Sequence, residues 1–128
     1  MAATLLLDTH ALLWWLTGDR RLPRPAHERI ADADQLAVAS AASAWEIAIK
    51  QAMGKLSAPG DLLAVVEASG LAWIPIGERE AYDAGSLPMH HRDPFDRLLI
   101  AQAMSRSATL VSSDPIFDRY GVRRLWRS

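Results

Sequence analysis

Thr4–Leu16, TLLLDTHALLWWL, is the stretch whose reading decides the fold. It begins as a continuous apolar run too short for a helix, stops at Asp8, and resumes with apolar residues at helical spacing, Ala11, Leu12, Trp15 and Leu16. The pattern predicts a buried strand that delivers a carboxylate at its C-terminal end and turns directly into a helix. In open parallel sheets ligands bind outside the carboxyl ends of the strands, so Asp8 is placed to line a site. The same Asp also suits the N-cap of the helix, accepting a hydrogen bond from a first-turn amide. The two roles are compatible, and Asp8 alone does not choose between them.

Working outward, the chain predicts short strands alternating with helices. A polar turn with two prolines follows the first helix. Then come a helix over about 26–33, a strand over 36–39, and a helix over 43–53 whose apolar stripe is Trp45, Ala48, Ile49, Ala52 and Met53, ended by Gly54. Further helices are expected at 61–68 and 78–84, with a strand at 71–74 between them. After the loop SLPMHHRDP, residues 95–105 form a helix that is apolar nearly all round, as befits one held between layers. A strand at 109–111, a helical turn at 115–120 and an edge strand at 122–125 complete the chain. Strand–helix alternation implies right-handed crossovers. The expected fold is α/β, three-layered (α/β/α), with a short, mostly parallel central sheet.

Composition bounds the function. The 128 residues, half of them hydrophobic and 23% charged, suit one globular domain over 1–128, without internal repeats. Cysteine is absent, which excludes disulfides and thiolate metal sites. The apolar start lacks a basic leader and is interrupted by Asp8 and His10, so it does not resemble a signal peptide, and no run is long enough to cross a membrane. A cytoplasmic protein is expected. The net charge of −1 supplies no general field for nucleic acid. Arg119, Arg123, Arg124 and Arg127 gather near the C-terminus, where a solvated tail is the simpler reading and a phosphate track the alternative.

Four acids carry the chemistry, and each has a structural role that competes with it. Glu46 stands three residues after Ser43, the capping-box spacing, and four before Lys50, the helical ion-pair spacing. Asp93 precedes Pro94 and is read mainly as an N-cap. Asp96 opens a helix expected to be buried on most sides, where a carboxylate is costly unless it pairs or binds a cation. Asp114 repeats the plan of Asp8, an acid at the end of a short apolar strand, with a capping role before Pro115. If the four converged, they could not all stay ionised without a counter-charge, and a hard divalent cation would fit. Bound magnesium or manganese would activate water for in-line attack on a phosphodiester. His10, His90 and His91 lack a zinc-ligand spacing and are read as structural or surface residues.

LLLDTHALLWWL, SAWEIAIKQAMGKL, LPMHHRDPFDRLLIAQA and LVSSD, in this order, resemble the PIN domain, and specifically the VapC-type toxins of bacterial toxin–antitoxin pairs. The resemblance covers nearly the whole chain. It implies a magnesium- or manganese-dependent endoribonuclease with its acid cluster at Asp8, Glu46, Asp96 and Asp114. It also implies an RNA substrate, a homodimer, and a VapB-type antitoxin that binds near the active site and carries the DNA-binding part. Ser112, Asp93, Thr9, His91 and Arg97 are the implied neighbours of the metal or the RNA. Many relatives have Thr at the place of Ser112, and both residues supply a hydroxyl. His91, just before Arg92-Asp93-Pro94, is expected to face RNA.

Two rivals share the α/β scaffold. An aspartyl-nucleophile phosphatase offers a second Asp two residues after the first, where this chain has His10; a phospho-receiver needs a lysine after a late strand, and both lysines, Lys50 and Lys55, lie in the first half. The third possibility is an inactive binding module that keeps the fold and loses an acid; none of the four is lost. The residues Leu12, Leu13, Trp14, Trp15 and Leu16 cannot all face one core from a single helix, so part of that face is expected to meet another chain.

Overall fold

A computed structural model describes residues 3–127. The opening stretch forms strand β1, Ala3–Leu7, and helix α1, Thr9–Thr17. The chain continues through α2 (Arg24–Ala31), β2 (Gln35–Ser40), α3 (Ala41–Ala52), α4 (Leu62–Ala68), β3 (Ala72–Ile74), α5 (Glu78–Ser86) and α6 (Pro94–Arg106). Strand β4 (Thr109–Val111), a 3-10 turn (Pro115–Tyr120) and β5 (Arg124–Leu125) follow. The sheet order is β3-β2-β1-β4-β5 and all four pairings are parallel, with β5 as an edge strand.

Alternation along the strands divides the core into two layers. Leu5 and Leu7 of β1, Ala37 and Ala39 of β2, and Val111 of β4 face one side, packed with α1, α2 and α4 through Leu12, Ala26, Ile30 and Val66. Leu6, Val38 and Leu110 face the other, against Leu99, Ile100 and Ala103 of α6 and Phe117. Both faces of β1 are therefore sealed, which is why its sequence is a continuous apolar run. Helix α6 is buried along Leu99–Ala103, as its all-round apolar pattern predicts. Helix α1 stops at Gly18, whose φ of 64° closes a left-handed cap on the Trp14 carbonyl; a side chain there would be strained.

Three local expectations are corrected. Helix α2 begins at Arg24, because Pro25 fits the first turn, where its missing N–H is not needed. Helix α3 begins at Ala41, with Ser40 as its N-cap accepting from the Ala42 amide at 3.0 Å; Ser43 is inside the helix, so the Ser43–Glu46 capping box does not form. The face of α3 that turns inward is Ala42, Ser43, Glu46 and Ile47, whereas Trp45 and Met53 of the expected apolar stripe are 59% and 58% exposed.

The aromatic helix α1 is largely satisfied within the chain. Leu13, Trp14, Trp15 and Leu16 pack against the first core layer. The Trp14 ring meets His10 and Trp126 at 5.7 and 5.8 Å, with the Arg21 guanidinium 5.0 Å above it, while the Trp15 indole N–H donates to Ser69. The C-terminal arginines are partly engaged as well: Arg124 holds Asp118 through two bonds and the Ser112 carbonyl through a third, and Arg123 bonds the Ser107 carbonyl. Among the described residues no helix is long and apolar enough to cross a membrane.

Candidate metal centre

Strands β2, β1 and β4 are neighbours, and the helices that follow or cross them open at the same end of the sheet. Asp8 follows β1, Glu46 lies in the second turn of α3, Asp96 lies in the first turn of α6, and Asp114 stands just beyond β4. All four line one cavity of about 440 Å³, together with Thr9, His10, Lys50, Asp93, Ser113 and Pro115. The four acids thus line the same cavity, and Asp93 and Thr9 line it with them.

The capping roles are real and leave room for another. Asp8 caps α1, its Oδ1 accepting from the Ala11 amide at 2.8 Å. Asp114 caps the 3-10 turn through Oδ1 and the Ile116 amide at 3.0 Å. Asp93 caps α6 through the amides of Phe95 and Asp96. Asp96, relieved of that duty, accepts from or shares a proton with His91 Nε2 at 2.7 Å.

Burial decides the electrostatics. It pushes the Asp8 carboxyl above its ordinary value, against the opposing effect of hydrogen bonds from Ser112 and Ala11. It pushes Asp96 up to about 6, opposed by His91 and reinforced by the negative charges of Asp93 and Asp8. Glu46, buried, is held at both oxygens: the Thr9 hydroxyl donates to Oε1 at 2.6 Å and the Lys50 ammonium to Oε2 at 2.7 Å. Thr9 has one proton, used on Glu46, so the Ser43 hydroxyl 3.0 Å away serves as donor to Thr9. Ser112, fully buried, accepts from the Asp114 amide at 3.0 Å and so links two of the acids.

His91 is placed by a pinned loop. Its amide donates to the Tyr120 hydroxyl, which in turn donates to the Pro88 carbonyl. Arg97, expected beside the metal or RNA, lies away from the cavity: it is buried and donates to the carbonyls of Gly85, Leu87, Pro88 and His91. Its role in the structure is to staple the loop that carries His91. Four cavity residues are not among the candidates from the sequence: His10, Lys50, Ser113 and Pro115. Lys50 was visible only as the i,i+4 partner of Glu46; nothing local shows that the pair faces the other acids.

The donor set is oxygen-rich and hard, with no thiol, and fits magnesium or manganese. Among the described residues no three acid or imidazole groups converge closely enough to form a ready-made metal shell. That is compatible with magnesium, which keeps several waters and takes one or two carboxylates directly. Asp8, Glu46, Asp96 and Asp114 are the residues that could hold such an ion.

A parallel α/β sheet with a carboxylate cavity at the carboxyl ends of its middle strands defines the class: an α/β protein whose site is built from acids rather than from a phosphate-binding glycine loop. Residues 5–123 match the PIN domain family model. Ribonuclease VapC22 of Mycobacterium tuberculosis (strain ATCC 25618 / H37Rv) is 33% identical over 114 residues, 87% of each chain. The chain belongs to the PIN domain family, in its VapC-type branch. Among solved structures it is similar to DNA-bound VapBC from Salmonella typhimurium, with TM-score 0.70 and 23% identity over 98% of both chains. It is also similar to VapBC2 from Rickettsia felis bound to a DNA fragment from their promoter, with TM-score 0.69 and 17% identity over 97% of this chain and 98% of that one. At these identities the structural likeness is one of fold.

Proposed function

We propose that this protein is a divalent-metal-dependent endoribonuclease, the toxin of a VapBC-type toxin–antitoxin pair, which hydrolyses RNA phosphodiester bonds. The observation that carries the reading is that Asp8, Glu46, Asp96 and Asp114, from four separate elements, line one cavity at the carboxyl end of the sheet. The VapC22 relative, a ribonuclease by name, supports the RNA substrate, and the VapBC neighbours support a VapB-type antitoxin as partner. A homodimer acting in the cytoplasm belongs to the same reading, with DNA reached only through the antitoxin.

In this reading Asp8, Glu46 and Asp96 bind magnesium or manganese, with Asp114 completing the set directly or through water. When bound, the ion supplies positive charge for activating water and for stabilising the leaving oxygen of an in-line displacement. The chain's residues orient the acids: the Ala11 and Ile116 amides fix Asp8 and Asp114, Thr9 fixes Glu46, and His91 fixes Asp96.

The test is RNA cleavage by purified protein with magnesium or manganese, with and without chelator. Cleavage is expected with either ion and should stop on chelation. Asp8→Asn retains the side-chain oxygen that caps α1, so the variant should fold normally and lose cleavage by at least about 10²-fold, the scale of losing one charged group from a preorganised site. Cleavage by Asp8→Asn and Glu46→Gln at the parent rate would overturn the reading.

A further inference from the structure

Lys50 is the feature that the acid set does not explain. A nuclease cavity that is to take a divalent cation already contains a cation. The Lys50 ammonium lies 2.7 Å from Glu46 Oε2 and lines the cavity with Asp8, Asp93, Asp96 and Asp114, whose charges it faces. Its side chain is 37% exposed, whereas that of Glu46 is 6% exposed, so the lysine has water to withdraw into and the glutamate does not. Asp8, Asp96 and Asp114 bond a cap amide or His91 through Oδ1, Oδ2 and Oδ1 respectively, and Asp8 also accepts from Ser112, while Glu46 has both oxygens engaged, Oε1 by Thr9 and Oε2 by Lys50. The ammonium therefore holds an oxygen that Glu46 could otherwise offer to a metal ion.

We propose that Lys50 is a tethered counter-cation that competes with the divalent ion for Glu46: it neutralises the metal-free cavity and must swing away, or share the cavity, when the ion binds. This rests on the metal-dependent reading above. Two positive charges within one cavity repel, so the lysine weakens ion binding while holding the empty site together. Its stem of four methylene groups is long enough to move the charge outward without moving α3. Released from Glu46, the ammonium stays at the rim, where a phosphate would pass.

The test is calorimetric titration of the full chain with manganese chloride alone, comparing the parent, Lys50→Met, Lys50→Arg and, as a control, Lys55→Met, whose side chain is exposed in the loop after α3 and is absent from the cavity. Lys50→Met should bind manganese about five- to tenfold more tightly, the scale of repulsion between a monovalent and a divalent charge that share one solvated cavity. Lys50→Arg and Lys55→Met should bind as the parent does. In chelator, Lys50→Met should melt about 3–6 °C below the parent, because a buried carboxylate has lost its partner, and added manganese should narrow or reverse that gap. Binding by Lys50→Met that equals or falls below the parent's, in a variant that still shows a cooperative melt, overturns the competition. If the parent itself binds no manganese, the metal-dependent reading falls and this inference with it; if the parent binds and Lys50→Met binds alike, only the inference falls.

Discussion

At the scale of single residues, a carboxylate has two oxygens and can cap a helix and face a cavity at once. Asp8 and Asp114 do both, giving Oδ1 to an amide. This is why the capping and site readings of the sequence could not be separated: both were present in the same side chain. Glu46 differed, because its capping box never formed and its ion pair did. Asp96 offers a measurement. Its carboxyl is raised to about 6 from an ordinary 3.8, chiefly by burial, so the folded metal-free protein prefers it protonated. A raised folded value means that the favourable contribution is complete below about pH 4 and is lost as pH rises through about 6. Asp96→Asn is neutral throughout and escapes that loss. It should stabilise the metal-free protein by about 1–2 kcal/mol at pH 7.5, a figure reduced for residual exposure, and by nearly nothing at pH 4. Denaturant midpoints at the two pH values check this; equal gaps at both would refute it.

At the scale of elements, the strand ends and helix starts were legible because their signals are local: an apolar run halting at an acid, or a proline after a capping residue. The orientation of α3 was not. An apolar stripe is assumed to face the core, yet here Glu46 and Ser43 turn inward toward the cavity and Thr9, leaving Trp45 outside, where its ring edge meets Phe95 at 5.2 Å. Polar residues that serve a site invert the rule by which faces are assigned. The loop between α5 and α6 was equally opaque, since its anchor, Arg97, comes from the helix that follows it. An arginine with its five N–H donors suits a cluster of carbonyls that no aliphatic chain can satisfy. Arg97→Leu should leave those carbonyls without a donor and destabilise the fold by about 2–4 kcal/mol. Amide hydrogen exchange should rise across residues 87–93, and RNA cleavage should fall as His91 loses its place on Asp96. Unchanged exchange in that loop would show that Tyr120 alone suffices to hold it.

At the scale of the whole molecule, the strand order brings three of the acid-bearing segments side by side, and that order is invisible in any one motif because parallel pairing joins residues far apart in the chain. The same distance separates Trp14 from Trp126. From the sequence the aromatic helix α1 is too apolar for one core, and a second chain is expected to cover part of it; within the chain, the fold brings Trp126, His10 and Arg21 to the Trp14 ring. This contact joins the first helix to the segment that follows the edge strand β5, whose pairing with β4 involves only Leu110–Arg124 and Val111–Leu125. A two-residue strand has few ladder bonds, so this packing supports it together with the Arg124 bonds to Asp118 and the Ser112 carbonyl. Trp14→Ala should therefore lower global stability by about 2–4 kcal/mol, less than for a fully enclosed tryptophan because Trp14 is only partly buried. It should also raise hydrogen exchange at Leu125 and its neighbours. The competing role, a contact with another chain, predicts a different pattern: light scattering would show a smaller particle for Trp14→Ala while its denaturation midpoint, measured at a concentration where the parent is monomeric, stayed put. A lower midpoint under that condition, with β5 loosened, assigns Trp14 to the fold.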